Sequence, residues 1–106
     1  MYIYNVTINI DTTIHEKWLV WIPTQIQAIL KTGTFISAKL TEVLVEEEMG
    51  GVTYSIQFTA KTKQDIENYY KKYAPKLRAV SAGKFGSKVL AFRTELRVVQ
   101  QFFSDN

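Results

Sequence analysis

The sequence predicts an α+β domain of order β-α-β-β-α-β, a four-stranded antiparallel sheet with two helices on one face, and three observations carry that prediction. Runs at Tyr2 to Ile10 and Val52 to Lys61 alternate apolar and mostly polar residues with period two. Stretches that follow Thr13 and Thr62 repeat apolar residues at helical spacing behind capping signals. The Gly50-Gly51 pair lies between two strand-like runs, where a tight reversal needs positive φ. The alternation makes one sheet face greasy and the other wet. The helices cover the first, and the second needs a partner or a ligand.

The first strand holds Tyr2, Tyr4, Val6, Ile8 and Ile10 on one face and Ile3, Asn5, Thr7 and Asn9 on the other. After Asp11, Thr13 with Glu16 three residues later reads as a capping box. The first helix runs to about Lys31, with Ile14, Trp18, Trp21, Ile22, Ile26 and Ile29 in one broad stripe. Pro23 is expected to kink or break it near Ile22, because proline removes a hydrogen bond and clashes with the preceding turn. Gly33 is placed as its stop.

Phe35 to Glu46 reads as the second strand, reversing through Glu47-Glu48-Met49-Gly50-Gly51 into a third that sets Val52, Tyr54, Ile56, Phe58 and Ala60 against Thr53, Ser55, Gln57, Thr59 and Lys61. Thr62 with Asp65 opens the second helix, with Ile66, Tyr69 or Tyr70, Tyr73 and Leu77 inward; Pro75 breaks it and starts a segment ending near Gly83. Lys88 to Val98 is the last strand. Its apolar residues Leu90, Phe92, Leu96 and Val98 are expected on the helix side, with Ala91, Arg93, Glu95 and Arg97 opposite.

This order is the split βαβ arrangement, and right-handed crossovers put both helices on one side of the sheet, the ferredoxin-like architecture. With 106 residues the chain makes one domain that buries roughly 65% of its unfolded surface, spanning 1–99, with 100–106 as a short extension. Phe102 and Phe103 on that extension are costly in water and are expected to dock on this chain or another.

Composition excludes several chemistries. No cysteine means no disulfide, thiolate metal site or thiol nucleophile, and a single histidine rules out a multi-histidine site, so neither metal nor cofactor is expected. No apolar run approaches the ~20 residues that span a bilayer, and the opening residues lack a secretory signal, so no membrane and a cytoplasmic location are expected. The net charge of +3 is divided: residues 1–60 carry three basic and six acidic side chains, and residues 61–106 ten basic and four acidic. Lys71, Lys72 and Lys76 fit an ordinary solvated stripe.

Tyr4-Asn5-Val6-Thr7, Trp18-Leu19-Val20-Trp21, Thr32-Gly33-Thr34-Phe35, Gly50-Gly51-Val52-Thr53-Tyr54-Ser55, Ala74-Pro75-Lys76-Leu77-Arg78, Phe85-Gly86-Ser87-Lys88 and Ala91-Phe92-Arg93-Thr94 occur in one order across nearly the whole chain. Together they resemble a small uncharacterised bacterial family, a domain of unknown function with a ferredoxin-like, dimeric α+β barrel shape. The resemblance implies the fold and a homodimer. It implies no activity and no catalytic residue.

The wet face supplies the candidate site: Asn5, Thr7, Asn9, Ser55, Gln57, Thr59, Arg93, Glu95 and Arg97. Two such sheets packed face to face enclose an interior in which polar groups orient a small ligand. Arg93 and Arg97, four apart on a strand, point one way and suit a small anion; pairing with Glu95 or neighbouring strands is the plainer role. His15 is the one candidate general base, at a helix start. Gly83 to Lys88 lacks phosphate-loop spacing and precedes a strand, which makes it a turn. Glu46-Glu47-Glu48 reads as a solvated hairpin tip, with cation binding as the sharper reading.

RNA-recognition modules share this element order but stack bases on aromatics of the two central strands. Here those positions are Asn5, Thr7, Ser55 and Gln57, with Tyr4 and Tyr54 on the helix side, so no nucleic acid is expected. The reading is a homodimeric small-ligand-binding or interaction protein using the polar sheet face. The alternative is a small-molecule enzyme of the monooxygenase or isomerase kind, with His15 or Glu95 near Arg93 as its polar dyad.

Overall fold

Residues 1–45 and 50–105 are described by the computed structural model of the chain. Strand β1 (Tyr2–Ile10) leads through a short 3-10 turn (Thr12–Ile14) into helix α1 (His15–Leu30); β2 (Ser37–Glu42) and β3 (Val52–Ala60) follow. Helices α2 (Lys63–Lys72) and α3 (Ala74–Phe85) then lead through a second 3-10 turn (Gly86–Lys88) to β4 (Val89–Arg97). The strands lie in the order β2-β3-β1-β4 with every pairing antiparallel. This is the expected βαββαβ architecture, its second helical region divided in two.

Local chemistry explains most boundaries. Thr62 caps α2 as expected: its hydroxyl accepts the Asp65 N–H at 3.1 Å and donates to the Asp65 carboxylate at 2.8 Å. Tyr73 separates α2 from α3, and Pro75 occupies the first turn of α3, where its missing N–H costs nothing. Gly33 ends the first helical region at φ +78°. The expected box at Thr13 and Glu16 is replaced by Asp11, whose Oδ1 accepts from the Thr13 N–H at 2.8 Å and the Thr13 hydroxyl at 2.6 Å. A carboxylate is the stronger acceptor, so it organises the 3-10 turn, and α1 itself begins without a side-chain cap.

Pro23 does not break α1, which runs unbroken through it. Trp18 and Ile22 before the proline and Ile29 after it are all buried on one stripe, so packing holds both halves on the sheet. Pro23 and Leu19, whose carbonyl loses its helical donor, are both exposed, so that carbonyl is left to water. Strand β2 is shorter than expected, and the readings placed on Glu46, Glu47, Glu48 and Met49 lie outside the described residues.

The core lies between sheet and helices. Tyr4, Val6, Ile8 and Ile10 of β1 and Tyr54, Ile56, Phe58 and Ala60 of β3 pack against Trp18, Ile22 and Ile29 of α1 and Ile66 and Tyr69 of α2. Tyr4 is its aromatic centre, 5.5–6.0 Å between ring centroids from Phe35, Phe58, Tyr69 and Tyr70. The two-layer slab measures 40 × 38 × 20 Å.

Strand β4 corrects the expected faces. Directly opposed residues of an antiparallel pair share a face, and β1 pairs Tyr4 with Glu95, Val6 with Arg93, Ile8 with Ala91 and Tyr2 with Arg97. Arg93, Glu95 and Arg97 therefore stand on the helix side, while Leu90, Phe92 and Leu96 stand on the open face beside Asn9, Thr7 and Ile3. Two bonds fix this register: Asp11 N–H to the Lys88 carbonyl at 2.9 Å, and Val98 N–H to the Met1 carbonyl at 3.0 Å. A slip of one residue would reverse every side chain. The tail does not dock on its own chain either: Phe102 and Phe103 are 78% and 81% exposed.

Gly51 holds φ +83°, and a Cβ added there would stand 2.8 Å from both Asn9 Oδ1 and the Ile10 carbonyl. Gly33 has a similar φ of +78° with nothing within 4 Å. In urea unfolding, Gly33→Ala is expected to cost about 1 kcal/mol from backbone strain alone. Gly51→Ala should cost about 2–4 kcal/mol, because the added methyl also forces β1 and β3 apart. Equal losses at the two sites would show that the close approach at Gly51 is not felt.

Candidate functional site

The open face grades from polar to apolar across the sheet. One row reads Thr41, Ser55, Thr7, Phe92; the next reads Lys39, Gln57, Asn5, Thr94. Ser55 Oγ donates to Asn5 Oδ1 at 2.7 Å, Asn5 Nδ2 to Thr7 Oγ1 at 3.2 Å, and Asn9 Nδ2 to Thr53 Oγ1 at 3.2 Å. These side chains satisfy one another without an ion. Lys39 is the one charged side chain among the described open-face strand residues. On β4 the face is apolar, with Leu90, Phe92 and Leu96 exposed.

Of the residues read from sequence as one site, the structure brings together Asn5, Thr7, Asn9, Ser55, Gln57 and Thr59 on the open face. It separates Arg93, Glu95 and Arg97 from them by the thickness of the sheet. The arginine grip on a ligand at the wet face is thereby lost. Phe92 is an aromatic on the open face, but it stands on the edge strand, and the central-strand positions that stack bases in RNA-recognition modules remain Asn5, Thr7, Ser55 and Gln57.

On the helix side the arginines meet tyrosines. Arg97 lies 5.9 Å over the Tyr2 ring. Arg78 of α3 donates from Nη2 to Tyr4 Oη at 3.1 Å and lies 5.8 Å over the Tyr70 ring. Burial pushes the Tyr69 phenol up to about 12, with Tyr4 adding to the shift and Arg78 and Arg93 opposing it. The Tyr70 phenol is pushed up to about 12 by burial and then by the Glu95 carboxylate, again against Arg78 and Arg93. Arg78 and Arg93 thus act on both phenols, and Glu95 on Tyr70 alone.

Below them lies a cavity of about 90 Å³ walled by α1, by Arg78 and Ser81 of α3, and by the helix side of β1 and β4. Small side chains at Ala91 and Ser81 make room for it. Its α1 and α3 walls are joined by Gln25 Nε2 donating to the Leu77 carbonyl at 2.9 Å and by Trp21 against Phe85 at 5.3 Å.

His15 is half-buried, and its Nε2 lies 2.7 Å from Tyr54 Oη. Tyr54 Oη lies 3.5 Å from Glu42 Oε1, and burial followed by the Glu42 charge raises the Tyr54 phenol. The bonded partner of His15 is therefore Tyr54 and not Arg93. Gly83 to Lys88 is the end of α3 and a turn, with Gly86 at φ +57°. Among the described residues no group of three or more acidic, histidine or cysteine side chains is placed to hold a metal, and no helix is long and apolar enough to cross a membrane.

Sequence reasoning missed Arg78, which looks like one more cation beside Lys76. Its partner Tyr4 is 74 residues away, and no local pattern links them. It also missed the Tyr54 partner of His15, 39 residues away.

A family model described as "Domain of unknown function (DUF4286)" matches residues 1–99. No curated protein matches the chain. Among solved structures, PelD residues 156–455 from Pseudomonas aeruginosa PA14, apo form, is 14% identical with a TM-score of 0.48, the match covering 91% of this chain and 32% of that one. PelD from P. aeruginosa PAO1 is 13% identical with a TM-score of 0.47, covering 95% and 33%. A protein described as PII-like signaling, from Thermus thermophilus, is 11% identical with a TM-score of 0.35, covering 91% and 87%. The chain spans about a third of the length of the PelD chains.

The raised phenols give a pH prediction. The folded chain keeps the Tyr69 and Tyr70 protons up to about 12, whereas an unperturbed phenol releases its proton at 10.0. Their contribution to stability is therefore fully present below pH 10 and is lost as pH rises through about 12. The urea midpoint should fall over that window, and phenolate absorbance should show a late-titrating group that Tyr70→Phe reduces. Ionisation of both phenols near 10 in the folded protein would contradict the burial described.

Proposed function

The chain belongs to the DUF4286 domain family, and from that premise we propose that it is a homodimeric binding or interaction protein whose open sheet face is covered by a second copy of itself. One observation carries this reading: Leu90, Phe92 and Leu96 are 43–69% exposed on the open face of β4, where no charged side chain accompanies them, and Val99, Phe102 and Phe103 further along the chain are exposed as well. Contiguous apolar surface of this kind on a soluble domain marks an interaction site.

A second copy suits the face in size and in charge. Three strands of nine residues and one of six, about 4.8 Å apart and rising about 3.3 Å per residue, give a face of roughly 520 Å². Two copies would bury about 1,000 Å² before the tail is counted, against the ~1,200 Å² at which stable interfaces begin. Val99 and the tail's Phe102 and Phe103 supply the remainder. Because Lys39 is the one charged side chain among the described open-face strand residues, stacking the face on itself buries little charge, and the bonds among Asn5, Thr7, Ser55, Asn9 and Thr53 satisfy much of its polar part. Apart from Lys39, the shared interior is uncharged and polar. It suits a partner surface or a neutral polar ligand in place of the anion expected from sequence.

Light scattering across a dilution series should give about 24 kDa, twice the 12.2 kDa chain. Phe92→Asp should give a monomer that remains folded, since Phe92 is 69% exposed. Val20→Asp, on the 81% exposed outer face of α1, should leave the dimer intact. A wild-type monomer at every concentration, or a dimer indifferent to Phe92→Asp, would remove the proposal.

A further inference from the structure

The structure assigns a second site, independent of the dimer: the helix-side cavity under α1 and α3, which we infer takes a short-chain carboxylate, its hydrocarbon inside and its carboxylate at Arg78 and Arg93. The body of the cavity is hydrocarbon and aromatic. Val6, Ile8, Ile22, Ile26 and Ala91 line it together with Trp18 and Trp21. At about 90 Å³ it is about three fifths of the ~150 Å³ apolar cavity that admits six-carbon benzene, so a hydrocarbon tail of about three or four carbons is the suitable size.

Its polar lining is cationic and hydroxylic. Arg78 and Arg93 both line the cavity, with Tyr4, Tyr69, Ser81 and Gln25. Arg78 is held in place by Tyr4 Oη at 3.1 Å and by the Tyr70 ring, which leaves further guanidinium donors unspent. Arg93 has no hydrogen bond or ion pair to any described residue, and its stem rises from the β4 position opposite Val6. Glu95 is the carboxylate on the same face of β4, but it does not line the cavity; it faces a separate depression with Tyr2, Lys63 and Arg97. Two guanidiniums over an apolar chamber, with no carboxylate in its wall, complement a ligand with one anionic end and an apolar body.

The chain reports on this site by itself, because its two tryptophans, Trp18 and Trp21, both line the cavity. Butanoate should change tryptophan emission saturably, and butanamide, equal in size but uncharged, should bind at least about tenfold more weakly, since charge-assisted bonds to guanidinium are the stronger kind. Arg93→Ala and Arg78→Ala should each weaken butanoate by about tenfold while changing butanamide by less than about twofold. Ala91→Leu, which fills the chamber, should abolish both, its folding checked by circular dichroism. Equal binding of acid and amide, butanoate binding indifferent to Arg93→Ala, or no saturable response from folded wild-type protein would each overturn the assignment. Phe92→Asp should leave butanoate binding unchanged, so failure of the dimer and failure of this site are told apart.

Discussion

The face that each side chain of β3 and β4 takes depends on the antiparallel register of β1 with these two neighbours. β1 runs through the middle of the sheet, paired along its full length with β3 on one side and β4 on the other. The Asp11–Lys88 and Met1–Val98 backbone bonds clamp β4 at both ends. Because successive side chains in a strand alternate faces, this one register decides at once that Arg93 meets the helices and Phe92 meets solvent.

The two faces then divide the work. On the helix side, the aromatic cluster around Tyr4 holds Arg78 by its hydroxyl, and small residues at Ala91 and Ser81 leave a chamber beneath it. On the other side, neutral amides and hydroxyls bond one another and the apolar edge is bare. Cations that would be costly in a self-stacked sheet are absent from most of that surface, and hydrocarbon that would be costly in water is concentrated along β4 and the tail. The same segregation underlies both the proposed dimer and the proposed carboxylate site.

Much of the fold is legible in the residues. The alternation at Tyr2 to Ile10 and Val52 to Ala60, the Thr62 cap and the Pro75 break are local signals with local causes. Pro23 shows where a local rule loses, since burial of Trp18, Ile22 and Ile29 on one stripe outweighs one missing hydrogen bond. Strand β4 shows a deeper difficulty. Its apolar and polar positions alternate as a half-buried strand should, but the rule that apolar residues face the helices holds for a strand under a helix. At this edge the Arg97 guanidinium lies over the Tyr2 ring and Arg93 and Arg97 both remain exposed, so the helix-side positions accept them.

The sequence by itself determined the element order, the two-sided sheet, the polar residues of β1 and β3 and the absence of thiol chemistry, because periodicity, turn residues and composition are properties of short stretches. Only the tertiary structure decided which face Arg93, Glu95 and Arg97 take, that Arg78 reaches Tyr4, that His15 pairs with Tyr54, and that α1 and α3 leave a chamber between them. Each of these is a contact between residues far apart in the chain or a choice of strand register, and both are settled by how whole elements pack.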